Sequence, residues 1–273
     1  LSFAGMIRAR DGDYWSAALL FTFASCARSN GIVLSIFFIA VPSVATAARP
    51  LFNKLLVGDT RWSWYAHVLK PLCRHVAPVV LQVFISASPY LLHQAHAGWV
   101  FCDSIHDKPR PWCDVETYKQ PMRRIAEVLN VPIGMYSWIQ SAYWGNGFLT
   151  YWTLQQVPNF MLAAPIVHLS VSGILSTLSL RRNPFHIGAI EWTSCTGLTP
   201  FILHWSFLLL VSVFLMNVQV TTRFLSACPP LYWFAADVFL TNTNPASNRS
   251  SVVSARRGAL SMWTRRRVVL YFV

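Results

Sequence analysis

An all-α, polytopic membrane protein is the fold class this sequence predicts, on three observations. Apolar residues make up 54% of the 273-residue chain and charged residues only 12%, about half the share of roughly a quarter that soluble domains carry. Mean hydropathy is +0.42, and 12 Trp and 18 Phe are more than a single soluble core accommodates alongside so few charges. Five windows, Ile32–Ala48, Val76–Leu92, Phe160–Leu180, Leu198–Val218 and Phe224–Leu240, approach or reach the roughly 17–25 apolar residues of a spanning helix, and at least four are credible spans.

Taken in order, Leu1–Ile7 reads as the tail of a preceding helix, since an apolar start without methionine or signal peptide predicts an N-terminally incomplete chain. Arg8–Asp13 is a polar turn. Tyr14–Ala27 and Ile32–Ala48 are apolar arms split by Arg28-Ser29-Asn30-Gly31; as one helix they are too long, so a broken or hairpin pair is expected. After a basic segment at 49–74, Val76–Leu92 crosses to a loop at about 98–133 holding Cys102 and Cys113, eleven positions apart. An oxidising compartment permits their pairing; equally, Cys side chains serve as small apolar fillers, the reading given to Cys26, Cys73, Cys195 and Cys228. An interfacial or re-entrant segment at 134–158 is expected as a helix from Tyr136 that ends where Pro158 breaks the pattern. Phe160–Leu180 returns to Arg181-Arg182, Leu198–Val218 crosses again, and Phe224–Leu240 closes a multi-spanning domain at 1–240. The polar, basic tail at 241–267 is expected to be disordered, its Asn248-Arg249-Ser250 sequon unused, and 268–273 to begin a truncated final helix.

The net charge of +12 is patchy in a way that reports topology rather than a nucleic-acid surface. Segment 49–74 carries five Lys/Arg against Asp59, and 249–267 carries six Arg and no acid, so both are expected on the cytoplasmic side. Segment 103–127 balances five acids against five bases and is the best candidate for translocation. No nucleic-acid partner is expected.

P-loop, dinucleotide, zinc and nucleophile-elbow patterns are absent. His93 and His96 have helical spacing without a third ligand, so no metal site and no cofactor are expected. Three polar clusters remain: Arg28-Ser29-Asn30, the string from Gln140 through Tyr143, Trp144, Asn146 and Gln156 to Asn159, and Gln219 to Arg223. Amides beside wide aromatic faces suit a saccharide or a phospholipid head group; an interfacial aromatic belt, in which Trp and Tyr only anchor a helix, is the alternative and the one composition alone favours. Two guanidinium groups, Arg28 and Arg223, suit a phosphate, with end-of-helix snorkelling as the alternative. The charge-derived topology sets all three clusters on one membrane face, as a convergent luminal site.

Four ordered blocks give the family. Tyr143-Trp144, Gly147-Phe148-Leu149, Tyr151, Gln156, Pro158-Asn159-Phe160 and Leu162-Ala163-Ala164-Pro165 resemble the signature of the GPI mannosyltransferase 2 (α-1,6-mannosyltransferase II) family. Arg28-Ser29-Asn30-Gly31, the loop blocks Phe101-Cys102 and Pro111-Trp112-Cys113, and Val218-Gln219-Val220 through Thr222-Arg223-Phe224-Leu225 to Tyr232-Trp233-Phe234 match the same family. The resemblance covers roughly residues 1–235. It implies a multi-pass endoplasmic-reticulum glycosyltransferase of the GT-C type that adds the second mannose, α-1,6-linked, from dolichol-phosphate mannose to the lipid-linked GPI precursor on the luminal side. A small accessory membrane subunit is a further expected partner.

On this resemblance Arg28 and Arg223, with Ser29, Asn30 and Gln219 beside them, are substrate-binding candidates at the phosphate or lipid head. Gln140, Tyr143, Trp144, Gln156 and Asn159 are candidates for the glycan or donor sugar. Inverting transfer needs a carboxylate to take the acceptor's proton. The family's Trp-Asp loop, whose Asp is expected to be that base, has no match here, so no catalytic residue is expected in this chain and the loop is placed upstream of Leu1. Gly145-Asn146 stands where Asn-Val is usual, and Thr150 where Lys or Arg is common. A catalytically inactive relic that retains only lipid or partner-subunit binding is the alternative expectation.

Overall fold

The computed structural model describes residues 1–47, 63–102, 110–113, 135–181 and 198–243, which form helices and turns without a strand. Most of the basic segment at 49–74, most of the neutral loop, Arg182 and everything from 244 on, including the sequon and the expected final helix, lie outside the described residues. Three helical stretches are long and apolar enough to cross a membrane: Asn30–Ala47, Val76–Cys102 and Leu154–Thr177. Among the described residues the chain divides into two compact units, the first drawn from 1–143 and 198–200, the second from 144–181 and 201–243.

In the first unit α1 (Ser2–Arg10) ends in a turn that requires a positive φ, 83° at Gly12. The turn is closed by the Gly12 N–H on the Ala9 carbonyl (3.1 Å) and the Asp13 N–H on the Arg8 carbonyl (2.9 Å). Asp13 then caps α2 (Tyr14–Ala27), its carboxylate accepting the Ser16 N–H at 3.2 Å. Hydrogen bonds from Ser16 hold this exposed carboxyl below the ordinary carboxylate value, with a smaller contribution from the Arg8 guanidinium. The expected arms do form a hairpin. α3 (Asn30–Ala47, with a π-helical turn at Ile36–Ala40) folds back on α2 because Gly31 has no side chain. A Cβ there would meet the Phe21 carbonyl oxygen and the Ser25 hydroxyl, and would stand 2.7 Å from the Ser25 nitrogen. Phe21 and Phe38 bring their rings to 6.4 Å across the pair. In lipid, where apolar burial alone does not join helices, such small-residue contacts do the packing.

The long helix α4 (Ser63–Cys102) runs past the expected end at Leu92. Pro89 has no N–H to give the Ile85 carbonyl, and that freed carbonyl instead accepts Thr22 Oγ1 of α2 (3.2 Å) and Ser88 Oγ (2.7 Å). Ser86 Oγ reaches the Ala18 carbonyl at 3.3 Å, so hydroxyls join α2 to α4 at membrane depth, each worth about 0.6 kcal/mol. Gln82, Ser86, Tyr90 and Gln94 recur every four residues along α4, and Gln94 is only 2% exposed. Its Oε1 accepts the Tyr136 N–H (3.4 Å) at the start of α5 (Met135–Ala142).

The second unit packs α6 (Val157–Arg181) with α7 (Thr199–Phe214), α8 (Thr221–Leu225) and α9 (Pro229–Thr243). Gly173 of α6 lies beneath Trp205 of α7 and 3.0 Å, measured from a hypothetical Cβ, from the Phe234 ring of α9. Trp205 is 1% exposed there. The structure departs from two sequence expectations. The window Phe224–Leu240 is broken at 226–228, just before Pro229-Pro230, because two successive prolines remove helix donors and serve best in a first turn. The expected helix from Tyr136 to Pro158 stops at Ala142. Pro158 stands in the first turn of α6 and opens that helix, since the missing N–H costs nothing at that position.

Candidate functional site

The string around residue 150 is a turn built on the end of another helix. Leaving α5, the chain takes positive φ at Gly145 (60°) and at Leu149 (58°), the latter a conformation leucine pays about 1–2 kcal/mol to adopt. The last carbonyls of a helix lack partners within it, and the turn supplies donors to those at the end of α7. The Gly147 N–H reaches the Leu215 carbonyl (3.0 Å), the Leu149 N–H that of Phe214 (2.8 Å), and Trp152 Nε1–H that of Val213 (2.9 Å). In return Asn146 Oδ1 accepts the Asn217 N–H at 3.1 Å. Thr150 Oγ1 donates to the carbonyls of Gly145 and Gly147. Gly145, Asn146 and Thr150, the positions that depart from the family pattern, therefore all serve this one turn.

The turn delivers Tyr151 and Trp152 to the start of α6. The Trp152 ring stacks on Phe214 (6.1 Å, interplanar 2°) and meets Phe160 edge-on at 5.1 Å. Asn159 Nδ2 donates to Tyr151 Oη (2.9 Å) and to Gln156 Oε1. Both amide hydrogens of Asn159 are thereby used, which leaves its Oδ1 as an acceptor and the Gln156 amide and Tyr151 hydroxyl as donors, all part-exposed. Around them lie exposed apolar side chains: Leu154 at 90%, with Phe148 and Met161. Such a cluster can meet a ligand's hydroxyls with a donor–acceptor set while apolar surface lies alongside.

Of the predicted residues, Gln156 and Asn159 are thus brought together, with Tyr151 as a member that sequence reasoning did not put in the site. Trp144 is exposed in the same unit, and Gln219 and Arg223 are exposed on Val218–Leu225, one helical turn apart. In the first unit Arg28 is exposed at the end of α2 in ordinary extended backbone, its carbonyl accepting the Gly31 N–H (3.3 Å), and Ser29 and Asn30 lead into α3. Gln140 is half-buried on α5. Tyr143 follows it, with its ring 5.7 Å from Trp138. Cys102 and Cys113 are joined, Cα to Cα 5.3 Å. Their neighbours Phe101 and Trp112 stack edge-on at 6.3 Å, and Trp112 meets Trp138 at 5.1 Å. Among the described residues no three His, Cys, Asp or Glu side chains stand close enough to hold a metal.

The signals for the missed features were in the sequence. The pair Gly145 and Gly147 marks a turn inside what was read as one helix. The four-residue spacing of Gln82, Ser86, Tyr90 and Gln94 marks a buried polar stripe inside an apolar window.

Three helical stretches long and apolar enough to cross a membrane, with no strand among the described residues, define the class: an all-α integral membrane protein. Its family is more specific. The chain belongs to the mannosyltransferase (PIG-V) family, whose model matches residues 1–256. It is 33% identical over 258 residues to GPI alpha-1,6-mannosyltransferase 2 of Homo sapiens, covering 86% of this chain and 49% of that protein. It is 34% identical over 269 residues to the protein of that name from Cricetulus griseus, covering 90% and 51%. GPI mannosyltransferase 2 of Aspergillus oryzae is 26% identical over 254 residues, covering 92% and 48%. The chain spans about half the length of these curated relatives. No solved structure matches it.

Proposed function

We propose that the chain forms part of a multi-pass mannosyltransferase of the endoplasmic reticulum that transfers the second mannose, in α-1,6 linkage, from dolichol-phosphate mannose to the lipid-linked GPI precursor at the luminal face. The family match across residues 1–256 carries this reading. The linkage comes from the names of relatives that match over most of the chain. A luminal position for the end of α4 is supported by the Cys102–Cys113 bridge, since such bonds persist in oxidising compartments.

In this reading Tyr151, Gln156 and Asn159 hold sugar hydroxyls, with donor and acceptor atoms turned to hydroxyl recognition and apolar surface set against lipid. Gln140 and Tyr143 in the first unit, and Trp144 in the second, are each offered as contacts to glycan or donor sugar. Arg28 with Ser29 and Asn30 in the first unit, and Arg223 with Gln219 in the second, are each offered as contacts to phosphate at a lipid head. The chain's own task is to bind and orient; transfer by inversion also requires a carboxylate base, and none of these residues supplies it. A small membrane subunit is the expected partner.

Complementation tests this. The gene that encodes the chain, expressed at full length in cells lacking the second GPI mannose, should restore GPI-anchored proteins to the surface. Normal expression without restoration would overturn the reading in favour of a binding-only relic.

A further inference from the structure

We propose that Trp152 and Asn146 are positioning residues, which clamp the turn 144–153 onto the end of α7 and so hold Tyr151, Gln156 and Asn159 in their ligand-binding arrangement. The ligand's identity rests on the mannosyltransferase reading; the clamp rests on geometry.

Two observations carry the clamp. Three consecutive carbonyls, Val213, Phe214 and Leu215, receive their donors from the turn, and the Asn217 N–H returns to Asn146 Oδ1. Trp152 contributes twice, by its N–H on Val213 and by its ring between Phe214 of α7 and Phe160 of α6. Independently, Leu149 sits at φ 58°, a conformation that persists in a leucine only where the surroundings over-determine it, and such residues gather at turns that hold ligands. Here the Leu149 N–H on Phe214 is the restraint.

Tyr151 lies between these fixed points. Thr150 on one side is tied to Gly145 and Gly147, and Trp152 on the other is tied to α7. The Tyr151 hydroxyl is thereby placed to accept Asn159 Nδ2, which in turn directs Asn159 Oδ1 outward. Release of the clamp leaves Tyr151 on a mobile turn and Asn159 without its tyrosine partner, held by Gln156 alone. A ligand then meets the same groups without their preorganisation, and affinity falls.

Trp152→Phe keeps an aromatic, though smaller, ring and deletes the N–H donor. For the chain in lipid nanodiscs, amide exchange over 147–156 should accelerate by about fivefold or more while 201–210 stays within about twofold. In the full-length enzyme, KM for dolichol-phosphate mannose or for the GPI acceptor should rise about tenfold with kcat within about threefold. Unchanged exchange would overturn the clamp. Faster exchange with both KM values unchanged, or a fall in kcat alone, would show a merely structural turn and overturn the positioning role. If Trp152→Phe does not accumulate, Asn146→Ala, which removes the acceptor for Asn217, carries the same readouts. A full-length wild type that transfers no mannose defeats the mannosyltransferase reading alone; the exchange measurement still decides the clamp.

Discussion

The α2–α3 hairpin and the turn at 144–153 both interrupt apolar sequence with polar residues and glycines, yet they are held by different forces. The hairpin is held by exclusion. Gly31 is pressed against the backbone of α2 at Phe21 and Ser25, and the neighbouring Arg28 side chain projects from the surface. The turn is held by hydrogen bonds, with open space at Gly145 and its donors spent on the end of α7. A steric hairpin tolerates polar change at its tip and no added volume. A hydrogen-bonded turn tolerates added volume and loses its shape with a single donor.

The contrast can be broken most decisively at Gly31. Gly31→Val should cost about 3 kcal/mol, the upper range for overpacking, because the Phe21 carbonyl oxygen and Ser25 nitrogen, two of the three nearest opposing atoms, are backbone and cannot turn aside; thermal unfolding in nanodiscs reads it. An equal loss on Gly147→Val would erase the contrast, since the atoms opposite Gly147 belong to the one side chain of Thr150, nearest 2.9 Å from a hypothetical Cβ, whose displacement costs only its hydrogen bonds to Gly145 and Gly147. Gly145→Ala meets nothing within 4 Å and should cost only the left-handed penalty at φ 60°, about 1 kcal/mol in the same measurement. Leu149→Gly should be close to neutral, within about 0.5 kcal/mol, because relief of the left-handed strain is offset by a more flexible unfolded chain. A large loss there would mean that the leucine side chain, rather than its N–H, holds the turn.

The smallest effect concerns the cap of α2. The Asp13 carboxyl is held below its ordinary 3.8 by Ser16, so its contribution is complete above that ordinary value and is lost as pH falls through the lower folded one. Asp13→Asn should flatten this acid limb of the unfolding profile and leave melting at neutral pH nearly unchanged.

Much of the fold was legible in the sequence, and the reasons are local. Two apolar arms too long for one helix, parted by Arg28-Ser29-Asn30-Gly31, require a broken or hairpin pair, and the structure has a hairpin. The low charge content and apolar windows require membrane helices, and three of sufficient length are present among the described residues. The site was legible only as composition. Gln156 and Asn159 stood out as amides, but periodicity ran a helix through Gly145 and Gly147 to Pro158, whereas the glycines end one element and the proline begins the next. Tyr151, though part of the ordered signature, was left out of the site because nothing in the sequence shows that its hydroxyl meets Asn159, eight residues on.

By itself the sequence determined the solvent this protein lives in, the break between its first two apolar arms, and its family, because each of these follows from counts, spacing or ordered blocks along the chain. Only the tertiary structure decided what the central string does. Its donors are spent on carbonyls some sixty residues away, at Val213 to Leu215. No local pattern can announce such a bond: a helix end lacks partners in every sequence, and which segment supplies them is settled only when the two are folded together.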